Sequence, residues 1–317
     1  MTQVKLIFGT MTFGAQADPE ESRKMLQLFL ESGFSTLDTA YVYSDGASEK
    51  IIGEWTSGPE KPVVHIATKA HPRVTGKLDS QTVRKEIETS LQRLKKTQVD
   101  LFYLHQPDLN HPVEDPLEEC ARLYEEGKFR RLGLSNYPAW LVEKVYYVCE
   151  KHGWPLPEVY QGMYNAITRS AEPELFPALD DLGMEFYAYN PLAGGLLTGK
   201  YRSFNSTPDS GRFADMPFYL DRFWTRSAFE ALEEVEGVCA GHTISMAHAA
   251  LRWIVYHSQL SAEQGDGVIL GARTTEQLKD NLSGAKAGPL PDPVVEALDK
   301  AWNTAKCECP SYFRFYS

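Results

Sequence analysis

Asp38, Tyr43, Lys69 and His105 are the residues of this 317-residue chain whose types and placement point most directly to chemistry. They fall at or just past the C-terminal ends of three strand-like runs, STLDTA (Ser35 to Ala40), VVHIATK (Val63 to Lys69) and VDLFYLH (Val99 to His105). A tyrosine phenol has a pKa of about 10 in water, so it is a weak acid at neutral pH unless a nearby cation stabilises its phenolate. Lys69 can supply that cation, and Asp38 the counter-charge that a buried lysine needs. The result is a proton donor suited to general acid catalysis, with His105 able to hydrogen-bond a carbonyl oxygen and orient it. Such a set suits an oxygen that gains negative charge, as an aldehyde or ketone oxygen does on hydride delivery. Taken singly, each member has a structural explanation: a strand-end cap, a solvated lysine, a core histidine, one of 16 tyrosines. Joint placement favours chemistry, but spacing leaves Tyr41 and Tyr43 both open as the acid. A Schiff-base lyase using Lys69 is a further, weaker alternative.

The elements that would position these residues follow from periodicity. Eight strand-like runs are read at Lys5 to Met11, Ser35 to Leu37, Val63 to Lys69, Val99 to His105, Phe129 to Leu134, Glu158 to Met163, Glu185 to Asn190 and Gly267 to Leu270. Amphipathic segments lie between them, such as EESRKMLQLFLESG and SQTVRKEIETSLQRL, the latter starting from an Asp79/Ser80 cap. Alternation of this kind predicts an α/β chain folded as one closed (β/α)8 barrel over residues 1–317, with reactive strand ends meeting at one mouth. An open doubly wound sheet is the competitor. A polar and aromatic insertion, Tyr201 to Thr225, follows the seventh strand, then helix-like Ser227 to Ala240 and Ser245 to His257. Its Phe204, Phe213, Phe218, Tyr219, Phe223 and Trp224 either wall a pocket or cement the insertion to the barrel. A late helix, Pro293 to Thr304, precedes the tail CECPSYFRFYS, which either reaches the mouth or lies free.

Composition narrows the class of partner. Net charge is −11, and the absence of a basic stripe argues against nucleic acid and against docking on an anionic membrane. No apolar run approaches the roughly 20 residues of a membrane span, and no signal peptide is read, so the expectation is a cytoplasmic protein. Five scattered cysteines argue against a disulfide framework, and Cys307-Glu308-Cys309 reads as two free thiols rather than a metal pair.

With those residues in view, the chain resembles the aldo-keto reductase superfamily, closest to the aflatoxin-aldehyde and succinic-semialdehyde reductase branch. Asp38-Thr39-Ala40-Tyr41-Val42-Tyr43 matches the spacing of the family's Asp and Tyr, and by that resemblance selects Tyr43. FGTM (Phe8 to Met11), GLSNY (Gly133 to Tyr137), VYQGMYNAITR (Val159 to Arg169), NPLAGGLLTGKY (Asn190 to Tyr201) and ECPSYFR (Glu308 to Arg314) carry the rest. The resemblance implies a barrel, NADPH as hydride donor, no metal and a small aldehyde or ketone substrate. It leaves open a homodimer, and a cofactor-sensing module like the barrel subunits of potassium channels is the alternative. It also implies that Ser135, Asn136 and Gln161 hold the nicotinamide carboxamide and that Tyr189 stacks on the ring.

Asn190 to Lys200, with Leu192, Gly194 and Gly195, looks like the pyrophosphate loop, its glycines letting backbone N–H groups approach phosphate. Gly194-x-x-x-x-Gly199-Lys200 imitates a nucleotide triphosphate loop, but Tyr201 stands where Ser or Thr must bind Mg²⁺. Gly271 and Arg273 leave the eighth strand toward a helix, where Arg273 can pair with a 2′-phosphate, so NADPH is preferred over NADH. Gln277 and Asn281 resemble adenine-side contacts. By the same resemblance Met11, Tyr43, His105, Arg222 and Arg314 line the carbonyl pocket, and two arginines there favour a substrate bearing a carboxylate.

Overall fold

Runs rich in β-branched and aromatic residues pair side by side in the computed structural model, which describes residues 4–58, 62–209 and 211–316. The strands are β1 Lys5–Gly9, β2 Thr36–Asp38, β3 His65–Ala70, β4 Val99–Leu104, β5 Phe129–Ser135, β6 Pro157–Met163, β7 Glu185–Tyr189 and β8 Gly267–Gly271. All pair in parallel and in chain order, and β1 pairs with β8 to close the barrel. Closure decides between the two architectures the sequence left open.

Helices cover the outside: α1 Pro19–Glu31, α2 Ala47–Thr56, α3 Ser80–Leu94, α4 Glu114–Glu125, α5 Ala139–His152 and α6 Leu175–Leu182. After β7 come α7 Arg212–Asp215, α8 Phe218–Phe223, α9 Arg226–Gly241 and α10 Met246–Tyr256, and after β8 α11 Thr275–Ala285 and α12 Asp292–Ala305. Asp79 caps α3 by accepting from Thr82 N, as its sequence signal predicts. The first strand stops at Gly9, short of the predicted Met11, because Thr10 N bonds Asp38 O and Phe13 N then turns back onto Thr10 O. α2 is not among the helices read from periodicity.

Two apolar layers result. Ile7, Ala67, Leu101, Tyr103, Val159, Tyr187 and Ile269 form a cluster of their own, which strand alternation places inside the barrel. A larger cluster joins the outer strand faces to the helices. Tyr103 fills the space beside Gly133, where a Cβ would lie 2.4 Å from its ring. Stepping two residues along the strands from the inner layer gives Lys69, His105, Gln161 and Tyr189, so the candidate residues are the next layer toward the mouth.

Two additions shape that mouth. In the insertion Phe213, Tyr219, Phe223 and Trp224 are buried, and Trp224 packs edge-on against Phe213 at 4.9 Å and against Phe229 at 4.8 Å. Most of its aromatic surface thus cements the insertion, while Phe218 stays exposed. The tail reaches the mouth: Arg314 N donates to Asn136 O at 3.0 Å and Tyr316 N to Pro107 O at 3.1 Å. Among the described residues no helix is long and apolar enough to cross a membrane.

Candidate active site

The register that aligns Gly9 with Asp38, Asp38 with Ala67, and Lys69 with Tyr103 brings the ends of β2, β3 and β4 together. Lys69 is fully buried, and its Nζ donates to Asp38 Oδ1 and to Thr39 O, each at 2.6 Å. Asp38 is buried too, and its second oxygen accepts from Gln161 Nε2 at 2.8 Å. A desolvated ammonium is tolerable only with such partners. Burial pulls the Lys69 pKa below its ordinary value, against the opposing pull of Asp38.

Tyr43 follows β2 in a short 3-10 turn, Tyr43–Gly46. Lys69 Nζ lies 5.1 Å from the centre of its ring, and the His105 ring meets it edge-on at 6.1 Å. The four predicted residues therefore share one site. Their electrostatics differ from a phenol simply softened by a cation. Burial pushes the Tyr43 phenol well above its ordinary value, and Asp38 pushes it further. The phenol is held protonated. His105 is driven well below the ordinary histidine range by burial first, then by His71, Lys69 and Arg314, so its imidazole is neutral and donates from one nitrogen.

Around this set lie the residues predicted for the cofactor. Ser135 ends β5 and Asn136 follows it, both buried. Asn136 adopts φ 63° and spends its amide within the protein, Nδ2 donating to His105 O at 2.9 Å and Oδ1 accepting from Tyr189 OH at 2.7 Å. Gln161 likewise commits its amide nitrogen to Asp38. Tyr189 is half-buried at the end of β7. Asn190 has φ 57° and its Nδ2 is buried without a hydrogen-bond partner among the described residues. Leu192 leads into the turn Ala193–Thr198, where Gly194 and Gly195 have φ of 69° and 109°. A Cβ added at Gly195 or at Gly271 would meet nothing within 4 Å. Lys200 is exposed beside it. These glycine-lined gaps, the unpartnered Asn190 donor and a half-buried ring fit a phosphate-bearing nicotinamide cofactor.

At the far end Arg273 is half-buried and its backbone N–H donates to Gln277 Oε1 at 3.0 Å. Asn281 donates to Gly271 O at 3.1 Å, so both predicted adenine-side amides brace the loop. On the substrate side Met11 is half-buried, and Arg222 is buried with its guanidinium 5.0 Å from the Phe218 ring and one nitrogen unpartnered among the described residues. Arg314 is exposed at the rim, close enough to Tyr189 to hydrogen-bond its phenol.

Sequence reasoning missed four participants. Arg212, in the insertion, lies 5.2 Å from the Tyr219 ring and near Asn190. Glu21 accepts from Thr275 N at 2.6 Å and Thr275 Oγ1 at 2.8 Å, setting a carboxylate at the start of α11. No local signal marks either one. Tyr103 holds its ring 5.5 Å from Lys69 Nζ, and His71 packs on His105. Counting by two from Lys69 and His105 would have found both.

The sequence matches known proteins over nearly its whole length. The sequence model of the aldo/keto reductase family matches residues 5–303. Aflatoxin B1 aldehyde reductase member 2 of Rattus norvegicus is 48% identical over 319 residues, covering 97% of this chain and 87% of its own. Aldo-keto reductase family 7 member A3 of Homo sapiens is 47% identical over 97% of this chain and 96% of its own, and aflatoxin B1 aldehyde reductase member 4 of Homo sapiens is 46% identical over the same shares. Aldo/keto reductases use nicotinamide cofactors. Since the match runs from the first strand into the last helix, and the closed barrel is the fold the motifs implied, the chain belongs to the aldo/keto reductase family and is an oxidoreductase.

Proposed function

We propose that this chain, one barrel domain throughout, is an NADPH-dependent reductase that converts small aldehydes, including semialdehydes and dialdehydes, and ketones to alcohols, with Tyr43 as general acid. The observation that carries the proposal is the buried Lys69–Asp38 pair beside the Tyr43 ring, with the His105 ring edge-on to it. Ser135, Asn136, Gln161 and Tyr189 would hold the nicotinamide end, the Asn190 to Lys200 turn the pyrophosphate, and Arg273 with Gln277 and Asn281 the adenosine end. The bound cofactor supplies a hydride.

The protein's own residues supply the proton and the orientation. A phenol held protonated by burial is a reservoir that releases its proton only when a stronger base, the negative oxygen of a reduced carbonyl, forms beside it. The phenolate then left in the site would have the Lys69 ammonium 5.1 Å from its ring centre and Arg212, whose charge opposes the repulsion from Asp38. Neutral His105 donates one N–H to the carbonyl oxygen and fixes its approach. Arg222 and Arg314 give the rim positive charge in a chain of net charge −11, which favours aldehydes carrying a carboxylate. The names of the relatives, aldehyde reductases, support aldehydes as the substrate class.

The deciding experiment follows loss of reduced-nicotinamide absorbance with 4-nitrobenzaldehyde and with succinic semialdehyde, supplied with NADPH and separately with NADH. Turnover with NADPH that disappears in Tyr43→Phe supports the proposal. Tight NADPH retention without turnover of any aldehyde would replace it with a cofactor-sensing module.

A further inference from the structure

His71 stands outside the proton-donating set yet packs directly on it. Along β3 the inward positions are Ala67 and Lys69, and the next step of two is His71, one residue past the strand, just as Tyr103 of β4 is followed by His105 one residue past its end. The two imidazoles meet edge to face, with centroids 4.7 Å apart and planes at 80°. The His71 side chain hydrogen-bonds Gln106, and two further points hold the residue. Its Nδ1 accepts from Arg73 N at 2.9 Å, which leaves its proton on Nε2. Its backbone N–H donates to Glu86 Oε2 at 2.7 Å. Glu86 is 1% exposed on the inner side of α3, and its Oε1 has no hydrogen-bond partner among the described residues. A buried carboxylate serving one backbone amide is expensive relative to an amide or apolar side chain in the same place.

We propose that Glu86 is a positioning residue for the reaction at the mouth: its carboxylate holds the His71 amide, seats the His71 imidazole against His105, and so sets how His105 faces the substrate. The proposal rests on the reading of His105 as the substrate-facing imidazole. Its consequence is that titration of Glu86 is transmitted to His105. Besides the His71 amide, the groups facing Glu86 are Glu49 of α2, which disfavours its ionised form, and Lys85 and Arg93 of α3, which favour it. Burial outweighs them and raises the carboxyl to about 7. His71 itself is lowered to about 4, by burial first and then by Arg314 and Arg73, so a transition near neutrality belongs to Glu86 and not to either imidazole.

The test is a pH titration of the parent protein, Glu86→Gln and Glu86→Ala, read both as kcat for aldehyde reduction and as the imidazole resonances of His71 and His105 by NMR. Glutamine keeps an acceptor for the His71 amide but does not titrate. In the parent, the His105 resonances shift with a midpoint of about 7 although the ring gains no proton. That transition is absent in Glu86→Gln, whose kcat stays within about threefold of the parent at its best pH. Glu86→Ala displaces the His71 and His105 resonances at every pH and lowers kcat about tenfold with KM little changed, the signature of a reacting group moved by a fraction of an ångström. An unchanged midpoint in Glu86→Gln overturns the proposal, as does a folded Glu86→Ala protein with parental resonances. Should no aldehyde be reduced at all, the reductase reading fails, while the NMR titration still decides the role of Glu86.

Discussion

Lys69 Nζ donates to Asp38 Oδ1 at 2.6 Å, and solvent reaches 0% of the lysine side chain and 4% of the aspartate. A pair this enclosed is costly to assemble and more costly to break. It gives the lysine ammonium a counter-charge beside the Tyr43 ring, 5.1 Å from its centre.

Removing one partner exposes that cost. Asp38→Asn leaves a buried ammonium with only Thr39 O and an amide oxygen, and is expected to destabilise the fold by about 3–5 kcal/mol. Urea denaturation of the variant checks it. Adding Lys69→Met to Asp38→Asn should recover much of the loss, since the uncompensated charge is then gone.

Replacing Tyr43 separates chemistry from binding. Tyr43→Phe keeps the ring over Lys69 and removes the donated proton, so kcat should fall by about 10²–10⁴-fold. NADPH binding, followed by its fluorescence, should change little. A parental kcat in Tyr43→Phe would move the acid elsewhere, Tyr41 first.

If the chain prefers NADPH as proposed, the preference should rest on Arg273, just before α11, and on Glu21 of α1, which accepts from Thr275 at the start of α11. Arg273→Ala should weaken NADPH binding by about 1.5–3 kcal/mol, the worth of a charged hydrogen bond, and leave NADH binding unchanged. Glu21→Gln keeps an acceptor for Thr275 and removes a negative charge from the same end, so NADPH should bind somewhat tighter. Calorimetric titration with both nucleotides distinguishes these outcomes from a general loosening of the loop.

Glu86 gives stability a pH dependence of unusual sign. Its carboxyl is raised from 4.5 in the unfolded chain to about 7 in the fold, so between those values the native state binds more protons than the unfolded one. Stability therefore falls as pH rises from 4.5 toward 7, the opposite of the common depressed carboxylate. Glu86→Gln removes the penalty. Thermal unfolding should show it more stable than the parent above pH 7, by at most ~3 kcal/mol, with the difference vanishing below pH 4.5.

The tail is held by Tyr312, whose OH accepts from Ala139 N at 3.0 Å and donates to Glu174 at 2.6 Å. Tyr312→Ala should release Arg314 from Asn136 and raise KM for succinic semialdehyde several-fold. KM for uncharged 4-nitrobenzaldehyde should hold nearly constant, and equal losses for the two substrates would argue against Arg314 as a carboxylate contact.

The sequence by itself determined the strands of the barrel, because β-branched and aromatic runs between glycine and proline breaks have few other ways to bury their faces. It also marked the four residues proposed for catalysis, since each lies at or just past the end of such a run, and the motif resemblance chose Tyr43 over Tyr41. Strand ends slipped by one or two residues, as at Gly9 and Ala70, because cross-strand hydrogen bonds and not composition end a strand. α2 escaped because its ten residues carry only a short apolar face. Only the tertiary structure decided who pairs with whom. Gln161 reaches Asp38 across 123 residues, Glu21 reaches Thr275 across 254, and Glu86 takes the His71 amide. Those contacts exist because barrel closure brings distant strand and helix ends to one mouth, and burial there, not residue type, decides which groups keep their protons.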